Sequence, residues 1–151
     1  MEKPVIISIK GVQDFIGSEE EDSMELVTQG ILRDNEDKSL SLTYRESEPT
    51  GLEGTTTTFR IETDRIVLQR EGTLNSEMVF QEGQRHVSLY ETPYGGLMLG
   101  VNTRRARSDV GQAGGNLVIR YALDVDNEKI GENSFEIHVT EPTPTSLLLN
   151  Q

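Results

Sequence analysis

Leu117-Val118-Ile119-Arg120-Tyr121-Ala122-Leu123-Asp124-Val125 is the stretch on which the fold turns. Side chains two apart share a face of a β-strand, so Leu117, Ile119, Tyr121, Leu123 and Val125 lie together while Arg120 and Asp124 lie opposite. Such a strand has one face on a core and the other in water. Phe135, Ile137 and Val139 repeat the pattern against Glu136 and His138, and the polar Asp126-Asn127-Glu128-Lys129 between the two predicts a hairpin.

The period of two recurs upstream. Strands are predicted at about 3 to 11, 23 to 33, 38 to 47, 55 to 63, 65 to 71, 77 to 82, 85 to 92, 96 to 105, 116 to 126 and 132 to 140. Turn chemistry separates most of them: Asp34-Asn35-Glu36-Asp37, Thr63-Asp64, Glu71-Gly72, Glu82-Gly83-Gln84 and Pro93-Tyr94-Gly95-Gly96. At the last of these, proline lacks a ladder donor and the glycines admit positive φ, which predicts a corner rather than a site. Residues 108 to 115 read as a mobile loop, and 14 to 18 and 145 to 149 offer no more than a helical turn. Ten short strands with short turns describe a single antiparallel up-and-down β-barrel of about 8 to 10 strands, because long meanders protect their edges by closing. No internal repeat or composition shift divides residues 1 to 151, so one domain is expected.

Hydrophobic residues make up 34% of the chain, with no Trp, four Phe and four Tyr, so the core is expected to be aliphatic and modest in size. The formal net charge of -12, from 26 acidic and 14 basic residues, opposes binding to nucleic acid and to anionic membrane surfaces. With no cysteine, thiol nucleophiles, thiolate metal sites and disulfides are all excluded. The first ten residues carry an apolar run of three before Ser8, too short for a secretory signal or a membrane span, and a cytoplasmic protein is expected.

No Walker loop, dinucleotide glycine fingerprint or nucleophile elbow is present, and His86 and His138 have no metal-ligand spacing. His138 alternates with Ile137 and Val139 and is expected to face solvent. The run Glu19-Glu20-Glu21-Asp22 lacks the alternating ligands of a calcium loop and reads as a solvated loop. No metal, cofactor or catalytic residue is therefore assigned. The basic patch Thr103-Arg104-Arg105-Ala106-Arg107 reads as a solvated strand end balancing nearby carboxylates.

Strand faces supply the candidate site. Leu40, Leu42, Tyr44 and Glu46 share a face, Ile66, Leu68 and Arg70 share another, and His86, Ser88, Tyr90 and Thr92 align on a third. A carboxylate and a guanidinium on core faces must be paired or sit at a wet mouth, because an isolated buried charge is prohibitively costly. Tyr44, Glu46, Arg70 and Tyr90 then form a polar end to an apolar interior, with Thr92 and the rim residue Tyr94 nearby. Two interpretations remain open: a ligand pocket in which Arg70 holds an anionic or carbonyl group, or a polar plug closing the barrel. The parity of strand 85 to 92 is open too, since Val87 and Leu89 make its other face the more apolar.

Tyr44-Arg45-Glu46, Thr50-Gly51-Leu52-Glu53-Gly54-Thr55-Thr56-Thr57-Thr58-Phe59, Val67-Leu68-Gln69-Arg70-Glu71-Gly72, Met78-Val79-Phe80-Gln81-Glu82-Gly83, Tyr90-Glu91-Thr92-Pro93-Tyr94-Gly95 and Leu99-Gly100-Val101-Asn102-Thr103 occur in this order. Together they resemble the YwiB-like family of small bacterial proteins, a domain of unknown function, over nearly the whole chain. Residues 123 to 127 and 130 to 133 resemble the family's closing hairpin. The resemblance implies a lipocalin-like, calycin-type β-barrel and no established activity.

Three functions follow as expectations. The first is a non-enzymatic barrel binding a small, partly apolar ligand with a polar or anionic head near Arg70. The second is an interaction module, with a filled barrel meeting a protein partner or a second copy through residues 104 to 107 or the acidic loop. The third, an enzyme using Glu46 as acid or base, has no nucleophile, metal set or cofactor motif beside it.

Overall fold

The computed structural model describes residues 2–17, 19, 22–47, 52–92 and 94–142. Ten antiparallel strands occupy them: β1 Glu2–Phe15, β2 Asp22–Asp34, β3 Leu40–Arg45, β4 Thr55–Ile61, β5 Ile66–Gly72, β6 Asn75–Phe80, β7 Arg85–Thr92, β8 Gly95–Ser108, β9 Gly115–Val125 and β10 Glu128–Thr140. Each strand pairs with the next in the chain, and β1 pairs back onto β10, so the sheet closes into an up-and-down, lipocalin-like barrel.

All ten predicted strands are present, with shifted ends. β1 runs through Asp14 and Phe15, where a helical turn was expected, because those residues pair with Glu132 and Gly131 of β10. The loop expected at 108 to 115 is instead a tight hydrogen-bonded reversal: Asp109 N donates to Asn116 O at 3.0 Å, and Gly111 and Gly114 exchange bonds of 2.9 and 3.0 Å. Gly114 has φ 104° and approaches Val139 so closely that a Cβ would lie 2.2 Å from the Val139 carbonyl oxygen, a contact only glycine permits. The 145 to 149 segment, and Glu20 and Glu21 of the acidic run, lie outside the described residues.

The turns after β1, β3, β5, β7 and β9 lie at one end of the barrel, here the upper end; the remaining turns lie at the lower end. Inward positions of the lower end are apolar: Ile7, Leu32, Ile66, Phe80, Leu117 and Val139 are all buried. A chain of rings crosses the interior, with centroids 4.7 Å apart for Phe80 and Tyr121, 6.1 Å for Tyr121 and Phe135, and 6.2 Å for Phe59 and Phe135.

Several charges on the outer face are paired with one another. Asp124 is 6% exposed yet outward-facing, and accepts from Arg85 at 3.1 and 2.7 Å and from Asn102 at 3.1 Å. It lies over Gly100, where a Cβ would come within 2.3 Å of its carboxylate. The Arg85 hydrogen bond holds the Asp124 carboxyl below its ordinary value. Arg104 pairs with Glu132 at 2.7 Å and Arg107 with Glu82 at 3.3 Å, so the basic segment does balance neighbouring carboxylates as expected.

Candidate functional site

Alternation along five strands brings one continuous polar row to the upper interior. Tyr44 stands opposite Thr57, Thr57 opposite Arg70, Arg70 opposite Ser76 and Ser76 opposite Tyr90, a cross-strand path from β3 to β7. Residues directly opposite have Cβ atoms within about 5.5 Å, so each side chain meets the next. Glu46 joins just beyond the last residue of β3. Its backbone N–H still bonds to Thr55 O at 2.9 Å, which keeps the chain on β4 and returns the side chain to the barrel, where Glu46 is 6% exposed.

The carboxylate of Glu46 accepts from the Thr57 hydroxyl at 2.7 Å and is hydrogen-bonded to the Tyr44 phenol. Burial pushes the Tyr44 phenol above its ordinary range, the Glu46 charge adds to that, and Arg70 and Thr57 pull against it. Tyr44 is therefore a neutral donor throughout the physiological range.

A second polar row crosses the opposite wall. Thr103 of β8 stands opposite Tyr121 of β9, which stands opposite Asn133 of β10. Asn133 Nδ2 donates to the Tyr121 hydroxyl at 3.3 Å. Burial raises the Tyr121 phenol as well, and Arg70 again opposes the shift, so the guanidinium charge is felt at both walls.

Four side-chain atoms of these rows are buried without a hydrogen-bond partner: Arg70 Nε, Ser76 Oγ, Thr103 Oγ1 and Asn133 Oδ1. Buried polar atoms are nearly always satisfied, by protein or by ordered water. The four atoms fall within two facing rows of the interior and include both donors and acceptors.

Two concavities reach these rows. β2 pairs with β3 only over Ile31 to Asp34, and where the two part a cavity of about 460 Å³ is lined by Val5, Gly30, Ile31, Thr43 and Tyr44 among others. At the upper mouth a smaller cavity of about 200 Å³ is lined by Gly11, Gln13, Met24, Asn133 and Phe135. Larger depressions of about 700 and 750 Å³ lie on the outer faces, the first beside exposed His138, whose Nδ1 is 2.7 Å from Asn116 Oδ1, and the second around the Arg85 and Asp124 pair. Among the described residues no group of three His, Asp or Glu is placed to hold a metal ion.

Of the six residues chosen from sequence, Tyr44, Glu46, Arg70 and Tyr90 come together. The open parity of β7 resolves toward Tyr90: Ser88 is buried, while Val87 and Leu89 are 53% and 47% exposed on the outside. Tyr94 stands 99% exposed at the tip of the β7–β8 hairpin, away from the cluster, and the Thr92 side chain lies outside those described. Thr57, Ser76, Thr103, Tyr121 and Asn133 were not among the six. Thr57 and Asn133 were findable, since each alternates with inward apolar residues, Phe59 in β4 and Phe135 and Ile137 in β10.

Comparison with known proteins agrees with this architecture. The crystal structure of the ywiB protein from Bacillus subtilis superposes with a TM-score of 0.82 at 21% identity, covering 94% of each chain, a likeness of fold. No curated protein matches the sequence. The family described as Domain of unknown function (DUF1934) matches residues 7–137, and the chain belongs to that family.

Proposed function

We propose that the barrel binds a small, partly apolar molecule through a polar or anionic head group at Arg70. The observation that carries this is the buried Arg70 Nε–H without a partner, set among Thr57, Ser76 and Tyr90 in one row. Leaving such a donor unmade costs about 1–3 kcal/mol, which an incoming oxygen acceptor would recover. The cavity between β2 and β3, with Tyr44 in its wall, offers apolar surface at Val5, Ile31, Pro4 and Pro142 among polar neighbours such as Gln29 and Arg45 for the rest of the molecule. Glu46 is occupied as an acceptor from Thr57 and Tyr44, which suits it to fixing the tyrosine hydroxyl.

Native mass spectrometry of gently purified protein, followed by NMR titration with butanoate and hexanoate, tests the proposal. The wild type is expected to retain a small molecule or to bind the acids, and Arg70→Met, folded by circular dichroism, to bind them at least tenfold more weakly. A barrel that is consistently empty and takes up neither acid, or an Arg70→Met variant with unchanged affinity, refutes it.

A further inference from the structure

We infer that the ligand also carries a hydrogen-bond donor, a hydroxyl or amide N–H, which lodges against Asn133 in the upper mouth cavity. This rests on the head-group reading of Arg70 and adds a second pole to it.

Two independent observations meet at Asn133. Asn133 lines the 200 Å³ cavity between β1, β2 and β10, and the same residue, 8% exposed, has an enclosed carbonyl Oδ1 with no partner. Its amide nitrogen is already committed to the Tyr121 hydroxyl at 3.3 Å, so what remains for a ligand is an acceptor. An acceptor asks for O–H or N–H, whereas Arg70 Nε on the facing wall asks for an oxygen. Neither a plain fatty acid nor a plain alcohol satisfies both.

Size narrows the class further. The ring chain of Phe80, Tyr121, Phe135 and Phe59 fills the middle of the barrel, so a long acyl chain has no straight path through the interior. Gly11 puts no side chain into the mouth: it stands opposite Phe135, and the nearest atom to a built Cβ is a Phe135 ring carbon at 3.7 Å. Met24, Gly11 and Phe135 give the cavity an apolar part, while Gln13, Asp22, Ser23, Asn133 and Ser134 give it a polar one that favours the hydroxyl end of the ligand over its acidic end. The ligand class is thus a compact acid bearing a hydroxyl or amide away from its acidic group, such as a short hydroxy acid.

Matched probes test this. Wild-type protein is titrated by NMR with butanoate, 4-hydroxybutanoate, hexanoate and 6-hydroxyhexanoate. At least one hydroxy acid is expected to bind about tenfold tighter than its parent, the worth of one well-made hydrogen bond, and to shift the Asn133 side-chain amide and the Gly11 N–H where the parent does not. Asn133→Leu is expected to abolish the preference, with each hydroxy acid binding no more tightly than its parent. Equal affinities within each pair, or a preference that survives Asn133→Leu, overturns the inference and leaves the Arg70 proposal standing. Failure of all four acids to bind, in a barrel that native mass spectrometry also finds empty, overturns both. The Asn133 and Gly11 shifts decide the matter in wild-type protein even if the leucine variant does not fold.

Discussion

The two ends of the barrel are made by the same strands and differ in what those strands turn inward. At the lower end the inward positions are Ile7, Leu32, Ile66, Phe80, Leu117 and Val139, all apolar and buried. At the upper end the strands from β3 to β7 turn in Tyr44, Thr57, Arg70, Ser76 and Tyr90, and β10 adds Asn133. One end is organised to hold the fold and the other leaves polar groups incomplete. Stability is therefore expected to reside at the lower end, and ligand chemistry at the upper.

The sharpest way to break that contrast is to truncate the lower end. Phe80 is fully buried against Tyr121, and Phe80→Ala is expected to cost about 3–5 kcal/mol in urea unfolding, as large core truncations do. A loss under about 1 kcal/mol would mean that the lower end is not the structural half.

Within the upper end, Thr57→Val removes the hydroxyl that donates to the buried Glu46 carboxylate at 2.7 Å. The expected loss is about 1–3 kcal/mol, less than for Phe80→Ala, because Tyr44 remains to serve the carboxylate. A neutral outcome would place Glu46 in contact with water.

Alkaline pH probes the same row. Tyr44 and Tyr121 have folded-state phenols raised above their ordinary value of 10.0, first by burial. The folded state holds these protons more tightly than the unfolded chain, so their stabilisation is complete below pH 10 and is lost as pH rises beyond it. The unfolding midpoint should fall above pH 10, and Tyr44→Phe should flatten part of that fall. A midpoint indifferent to alkaline pH, with the phenolate absorbance of all four tyrosines rising in one step, would show both phenols open to solvent.

The smallest effect on stability is expected from Arg70→Met. Arg70→Met relieves the cost of an Nε–H without a partner but also takes away the positive charge near the Tyr44 and Tyr121 phenols and the buried Glu46, so the two effects offset and unfolding should change by about 1 kcal/mol or less while acid binding is lost. A large destabilisation would assign Arg70 to the structural half and favour a polar plug over a pocket.

The sequence by itself determined the fold class and most of the strands. Alternation is a local property: Leu117, Ile119 and Tyr121 share a face whatever they pack against, and turn residues mark where the chain reverses. It also picked out Tyr44, Glu46, Arg70 and Tyr90, because a polar side chain on an apolar face is visible in one strand. Only the tertiary structure decided the rest. Which face of β7 turns inward was undetermined while both faces carried apolar residues, and closure settled it by pairing Ser76 with Tyr90. That Tyr94 is exposed, that Thr103, Tyr121 and Asn133 form a facing row, and that Arg70 Nε and Asn133 Oδ1 lack partners all depend on register and shear between strands far apart in sequence. A hydrogen bond that is missing is a property of the whole neighbourhood, and no single strand encodes it.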